Sequence, residues 1–277
     1  MIEVIVLFVL ALIWIIFAVV QDLKSREIAD WLNYSLIIFA LGFRFFYSLF
    51  TSEWNFFLLG VGGFVIFFAL DNLFYYGRIF AGGDAKLLMA FGAVLPLQIS
   101  ILDNLKNFGM FILLFLIVGA LYGLIYSLVL GIKNWGKFKK EFVLQFKKNK
   151  FLVYGILILA IVVICLAFIE EMFLFLGLLL FIFPYLFLYA KSVDEVCMVR
   201  RVAVSKLTEG DWLYEDIKIG NKVIKATWDG LNKKDLSLLK KRKKFVIVRY
   251  GIQYAPVFLI SFMLFIFGVY FNWFGLI

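Results

Sequence analysis

Histidine does not occur once in the 277 residues. Its absence removes the commonest metal ligand, the Ser-His and Cys-His catalytic arrangements and the usual neutral-pH proton shuttle. Cysteine occurs twice, Cys165 in an apolar run and Cys197 in a polar segment. With no C-x-x-C spacing they provide neither a disulfide framework nor a zinc site, so no metal and no cofactor is expected. Both read as packing or surface thiols. Acid/base chemistry is left mainly to carboxylates, lysines or tyrosines. The opening stretch MIEVIVLFVLALIWIIFAVV lacks a basic n-region, carries Glu3 and leads into no A-x-A cleavage pattern. It reads as a retained first span rather than a signal peptide.

What the chain has in excess is apolar surface. It is 65% hydrophobic and 20% aromatic, with a mean hydropathy of +1.01. A soluble domain runs near half apolar, so the bilayer must supply the surroundings of the remainder. The expected fold is an all-α polytopic membrane protein of about eight transmembrane helices, with a small cytoplasmic α/β module before the last. Apolar runs of crossing length lie near 4–20, 32–50, 55–76, 85–102, 108–131, 151–169, 172–190 and 254–273. They divide the chain into a five-span catalytic core (1–131), an amphipathic segment (132–150), a transmembrane hairpin (151–190) turned at Glu170 and Glu171, a basic module (191–253) and a last helix (254–277).

Charge sets the orientation. Segments 21–31, 77–84, 132–150 and 191–253, with Lys86, hold 26 of the 28 lysines and arginines. Placing them all in the cytoplasm satisfies the positive-inside rule at every loop, with both termini outside. Arg44 then falls inside the second span and Lys106 in an outer loop. In NWGKFKKEFVLQFKKNK, aromatic residues recur at helical spacing between lysines, as in a helix lying in the headgroup layer. DIKIGNKVIKA alternates around Gly220-Asn221 like a β-hairpin, and Asn232 is placed to cap a helix over the basic run that follows. Basic loops of this kind meet membrane lipids, and no nucleic-acid recognition motif is present.

Four carboxylates fall at or near the cytoplasmic edge: Asp22, Asp30, Asp71 and Asp84. Asp22 closes the first span and Asp84 opens the fourth, at matched depth on one side. Two spans between them form a hairpin that returns the chain to its starting edge. Neighbouring carboxylates cannot both ionise, so one keeps a proton while the other draws one from water, the arrangement of an aspartyl protease. Gly82 and Gly83 before Asp84 offer backbone conformations closed to other residues and a close approach for a substrate strand. Lys86 reads as a site-supporting charge, and Arg26 and Glu27 as substrate-binding groups or interface charge. Asp71, four turns into the third span, is placed to pair with Arg78 or Lys86 or to line a polar cavity. On these residues alone, a proton-coupled transporter using Asp71 and Asp84 as a relay stays open, as does a non-catalytic scaffold.

The combination of QDLKSREIADWLN after the first span with AGGDAKLLMAFGAVLP opening the fourth resembles the type IV prepilin peptidases, GxGD aspartyl proteases that include the archaeal preflagellin peptidases. SREI with Asp30 behind it, and RYGIQYAPVFLISF before the last span, are similar to the archaeal branch. The resemblance implies that Asp22 and Asp84 are the catalytic pair. It also implies that the partner is a prepilin or preflagellin precursor, whose short basic leader is cut at the cytoplasmic membrane face. The sequence departs from the family at Ala81, which stands for the first glycine of GxGD. It also lacks the cysteine loop of bacterial relatives and carries two extra spans at 151–190. The Tyr-Asp and Pro-Ala-Leu motifs of presenilin-type proteases do not occur.

Overall fold

The computed structural model describes residues 2–77, 79–80, 82–97, 100–220, 222–227 and 230–271. Ala81, Arg78 and Asn221 lie outside them. The chain divides into two compact units, Met1–Gly123 with Gln253–Ile277, and Leu124–Ile252.

The first unit is helical because its long apolar runs leave the backbone no water to bond, and a helix satisfies those groups within itself. It contains α1 (Ile2–Ser25), α2 (Asp30–Thr51), α3 (Trp54–Tyr76), α4 (Gly82–Val94), most of α5 (Ile101–Lys133) and α10 (Ala255–Tyr270). Its core is aromatic. Phe91 of α4 stacks on Phe111 at 4.8 Å and meets Phe262 edge-on at 5.2 Å, while Phe115 meets Phe258 at 4.6 Å. From Leu87 to Leu95 every residue of α4 and its exit is buried. A helix apolar on all sides belongs inside a bundle. Gly63 of α3 and Gly92 of α4 lie so close that a Cβ on either would run into the other's backbone.

The expected fourth span at 85–102 is corrected here. The helix stops at Val94, and the next begins at Ile101. Pro96 is the cause: it lacks an N–H, and its ring disfavours helical geometry at Leu95. Leu97 donates its N–H to the Asn104 side chain instead, at 2.8 Å. Lys106, expected in a loop, lies within α5 and pairs with Asp103 one turn earlier at 2.9 Å.

The second unit starts in the end of α5 and continues through α6 (Trp135–Lys148), α7 (Lys150–Cys165) and α8 (Met172–Val193). The expected aromatic face of α6 forms, but Phe138 is buried in a cluster with Val193 and Cys197 and meets Tyr189 at 5.6 Å. A π-helical turn, Asp194–Met198, leads into β1 (Val199–Ala203), β2 (Trp212–Leu213), β3 (Ile217–Ile219), β4 (Lys222–Ile224), α9 (Lys233–Arg242) and β5 (Phe245–Arg249). Three strands form an antiparallel sheet in the order β1-β5-β2, with Val199 opposite Arg249. The expected hairpin is β3-β4, and Gly220 at its turn has φ +58°. Arg249 bridges Asp194 and Glu195, at 3.3 Å each, tying β5 to the π turn. The Tyr214 hydroxyl donates to Glu195 at 2.7 Å, and that bond pushes the phenol up, so it holds its proton.

Leu213, Ile224, Leu239, Val246 and Val248 form the module's small core. Asn232 caps α9 as expected, its Oδ1 accepting the Asp235 N–H at 2.8 Å. Replacing Asn232→Ala should cost about 1 kcal/mol. The loss should show as faster amide exchange in α9, with the exchange of α4 unchanged.

Among the described residues, six helices are long and apolar enough to cross a membrane: Ile2–Ser25, Asp30–Thr51, Trp54–Tyr76, Ile101–Lys133, Lys150–Phe168 and Met172–Met198. This is a multi-pass membrane protein. α4 and α10, the seats of the fourth and eighth expected spans, are shorter at 13 and 16 residues.

Candidate active site

Asp22 lies in the last turn of α1, where the helix is ended by an unusual residue. Arg26 adopts φ +62°, the left-handed conformation of a helix C-cap, and its N–H donates to the Asp22 carbonyl at 2.8 Å. The following loop is closed by Gln21, whose side chain accepts the Ala29 N–H at 3.0 Å. The Asp22 carboxylate is buried and turned onto the start of α10. Its Oδ2 accepts the Ala255 N–H at 3.0 Å, and the Gln253 amide donates to the Asp22 carbonyl at 2.7 Å. The first N–H groups of a helix have no internal partners and carry partial positive charge. They suit a carboxylate anion.

Asp84 stands in the first turn of α4, and the structure makes it a charge neighbour of Asp22. The two carboxyls stand at the ends of different helices, α1 and α4, within electrostatic reach of one another. Tyr254 also feels the Asp84 charge. Its ring meets Phe80 and Phe115, and its hydroxyl lies over Gly119, where any Cβ would collide with it.

The glycines before Asp84 serve differently from the expectation. Both are helical, and the described glycines with positive φ are Gly210, Gly220 and Gly230. Left-handed freedom is therefore not what Gly82 and Gly83 supply. Gly83 supplies room: a Cβ there would sit 3.3 Å from that of Ile28 and 3.5 Å from its backbone. The loop after Asp22 thus packs directly on the turn carrying Asp84.

Lys86 pairs with Asp30 at 2.6 Å, its ammonium 5.7 Å from the Tyr34 ring. Of the partners offered for Asp71, Lys86 is bonded to Asp30 although its charge reaches Asp71, and Arg78 lies outside the described residues. Arg26 is held near Asp22 by its place in the cap, while Glu27 is exposed. Among the described residues no cluster of three or more His, Cys, Asp or Glu is arranged to hold a metal.

Four side chains essential to this geometry escape the sequence reading. Arg44 of α2 is fully buried and caps the C-terminal end of α4. It donates to the carbonyls of Ala93 (2.8 Å), Val94 (3.0 Å) and Pro96 (2.5 Å), and also to Phe56 (3.0 Å). Those α4 carbonyls are the orphans of a terminating helix, at its partial negative pole. Asn33, also on α2, donates to Gly83 O at 3.2 Å, at the opposite end of α4. Eleven residues is about three turns, so Asn33 and Arg44 share a face, and α2 splints α4 at both ends. An arginine within a span is a visible signal of function or architecture. Gln253 and Tyr254 stand out only as polar residues opening the last apolar run.

Residues 9–128 match the type IV leader peptidase family. The match spans less than half of the chain. Similar proteins include a preflagellin peptidase of Methanococcus maripaludis, 28% identical over 52% of this chain and 67% of its own length. A preflagellin peptidase of Methanocaldococcus jannaschii is 33% identical over 32% of this chain and 38% of its own. One of Methanococcus voltae is 29% identical over the same shares. The chain thus spans about two thirds of the first relative and less than half of the other two. No solved structure matches. The leader peptidase match covers Asp22, Arg44 and Asp84 and ends before Gln253, Tyr254 and Ala255.

Proposed function

We propose that the chain is an intramembrane aspartyl endopeptidase. It removes the leader from prepilin-like or preflagellin-like precursors at the cytoplasmic face of the cell membrane. The observation carrying this reading is that Asp22 and Asp84, 62 residues apart in sequence, stand at two helix ends within electrostatic reach of one another.

The surroundings divide the labour between them. Asp22, facing the N-terminal N–H groups of α10, is the partner better suited to carry the charge. Asp84, beside that charge, keeps the shared proton. Asp22 takes a proton from water as the oxygen attacks the scissile carbonyl, and Asp84 hydrogen-bonds to the developing oxyanion. Collapse of the tetrahedral intermediate breaks the C–N bond and passes a proton to the leaving amine. Eight membrane crossings with both termini outside, including shorter passages at α4 and α10, would put this pair where a leader enters from the cytoplasm. The relay reading finds less support: the charge neighbour of Asp84 is Asp22, whereas that of Asp71 is Lys86.

Membranes carrying the protein should release the leader from precursors in which it precedes an apolar helix. Inactivity across a broad leader panel would remove the peptidase reading. The rate should be bell-shaped in pH, set by two apparent values that belong to the pair. On the acid side the base carboxylate is lost by protonation, and on the alkaline side the proton Asp84 needs is lost. A rate rising monotonically with pH would contradict a shared-proton mechanism.

A further inference from the structure

Of the carboxylates around the site, three have company within the chain. Asp22 takes the N–H groups of α10, Asp84 has Asp22 beside it, and Asp30 holds Lys86. Asp71 is the exception. It lies in α3 five residues before the helix ends at Tyr76, partly buried. Its Oδ1 is closed to solvent and has no hydrogen-bond donor among the described residues. The cation whose charge reaches it is Lys86, and the Lys86 ammonium is already bonded to Asp30 and set over Tyr34. A carboxylate on a membrane helix without a donor is costly, and such a cost is relieved when a cation meets it.

We propose that Asp71 is the acceptor for a cationic side chain of the peptide being cut, and so selects a basic residue in the leader. The proposal rests on the peptidase reading and adds the residue that reads the substrate. Placement supports it. α3 and α4 are joined by a short connection, so Asp71 and Asp84 are carried by adjoining helix ends. Lys86, which feels Asp71, is two residues along α4 from Asp84, a rise of about 3 Å. A peptide cut at the dyad would run past the end of α3 that carries Asp71. Charge supports it as well. Locally, Asp30 already holds Lys86 and Arg26 lies near Asp22, which leaves Asp71 without a bonded cation among the described residues. The chain as a whole has a formal net charge of +9. A carboxylate without a bonded cation attracts a cationic side chain in a chain whose other charge is mostly positive.

The test uses the full chain in membranes and precursors that differ only in lysine, glutamine or glutamate at the charged leader positions. The measured quantity is kcat/KM for the lysine leader divided by that for the glutamine leader, a ratio in which loss of folded protein cancels. In Asp71→Asn this ratio should fall about tenfold, the size of one charge-assisted hydrogen bond. In Asp71→Lys the preference should turn toward the glutamate leader. A ratio unchanged in Asp71→Asn overturns the proposal. So does an equal fall in kcat on all three leaders, which would make Asp71 a support of the fold or the dyad. If the native protein cuts none of the leaders, or Asp84→Asn cuts them as well as native, the peptidase reading falls and the Asp71 assignment with it.

Discussion

Asp84→Asn and Asp22→Asn should each reduce precursor processing by about a thousandfold or more, while the protein still accumulates in the membrane. The amide keeps the size of the carboxyl group, so packing against Ile28 and α10 is retained and the loss reports on chemistry. An amide can neither take the water's proton nor share one with its neighbour. The double variant should be hardly slower than either single one, because the two groups act as a unit. Additive losses, or an Asp22→Asn protein that processes at the native rate, would end the dyad mechanism. The two variants should differ in stability. Asp22→Asn weakens the contact with the N-terminus of α10 by removing a charge. Asp84→Asn relieves a like-charge contact with Asp22 and should be neutral or stabilising, as seen in the melting of detergent-solubilised protein.

Arg44→Met should be the most damaging substitution away from the carboxylates. Removing the guanidinium strands four carbonyls, two at the end of α4, one just beyond it at Pro96 and one on α3, inside a bundle with no water to replace the donors. At about 1–3 kcal/mol for each unsatisfied group, the expected cost is at least about 3 kcal/mol. It should appear as a lower melting temperature and reduced accumulation. Arg44→Lys should rescue little, since one ammonium cannot reproduce the planar fork that spans several carbonyls. Gly60→Ala should partly reproduce the defect without touching the arginine, because a methyl there collides with the Arg44 side chain. If Arg44→Lys melts like the native protein, the anchoring role assigned to the fork is wrong.

The spans of α1, α2 and α3 are legible because twenty-odd apolar residues in a row have one economical conformation in lipid. The hairpin at Gly220 and the cap at Asn232 are legible because turn and cap chemistry is local. α4 misleads for the opposite reason. Its apolar run continues past the helix end, and a hydropathy window does not register that Pro96 has no N–H to give. That Asp22 and Asp84 lie at helix ends can be read from their positions at span edges. Their partners cannot, because Gln253 and Ala255 come from the far end of the chain, and nothing local marks a backbone N–H as the seat of a carboxylate. The glycines before Asp84 show the same limit. Composition suggests special backbone angles, whereas the folded chain uses them for lack of bulk against Ile28.

The hydrogen bond between Asp22 and Ala255 joins residues 233 positions apart. At about 5–20 residues per second, the ribosome needs roughly 10 to 50 seconds to make the helix that receives Asp22 after Asp22 itself has emerged. Through that interval α1 to α5 can enter the membrane with both carboxylates present and their anchor missing. The order of synthesis thus supplies the seat of the Asp22 carboxylate only after the helices around it have been laid down.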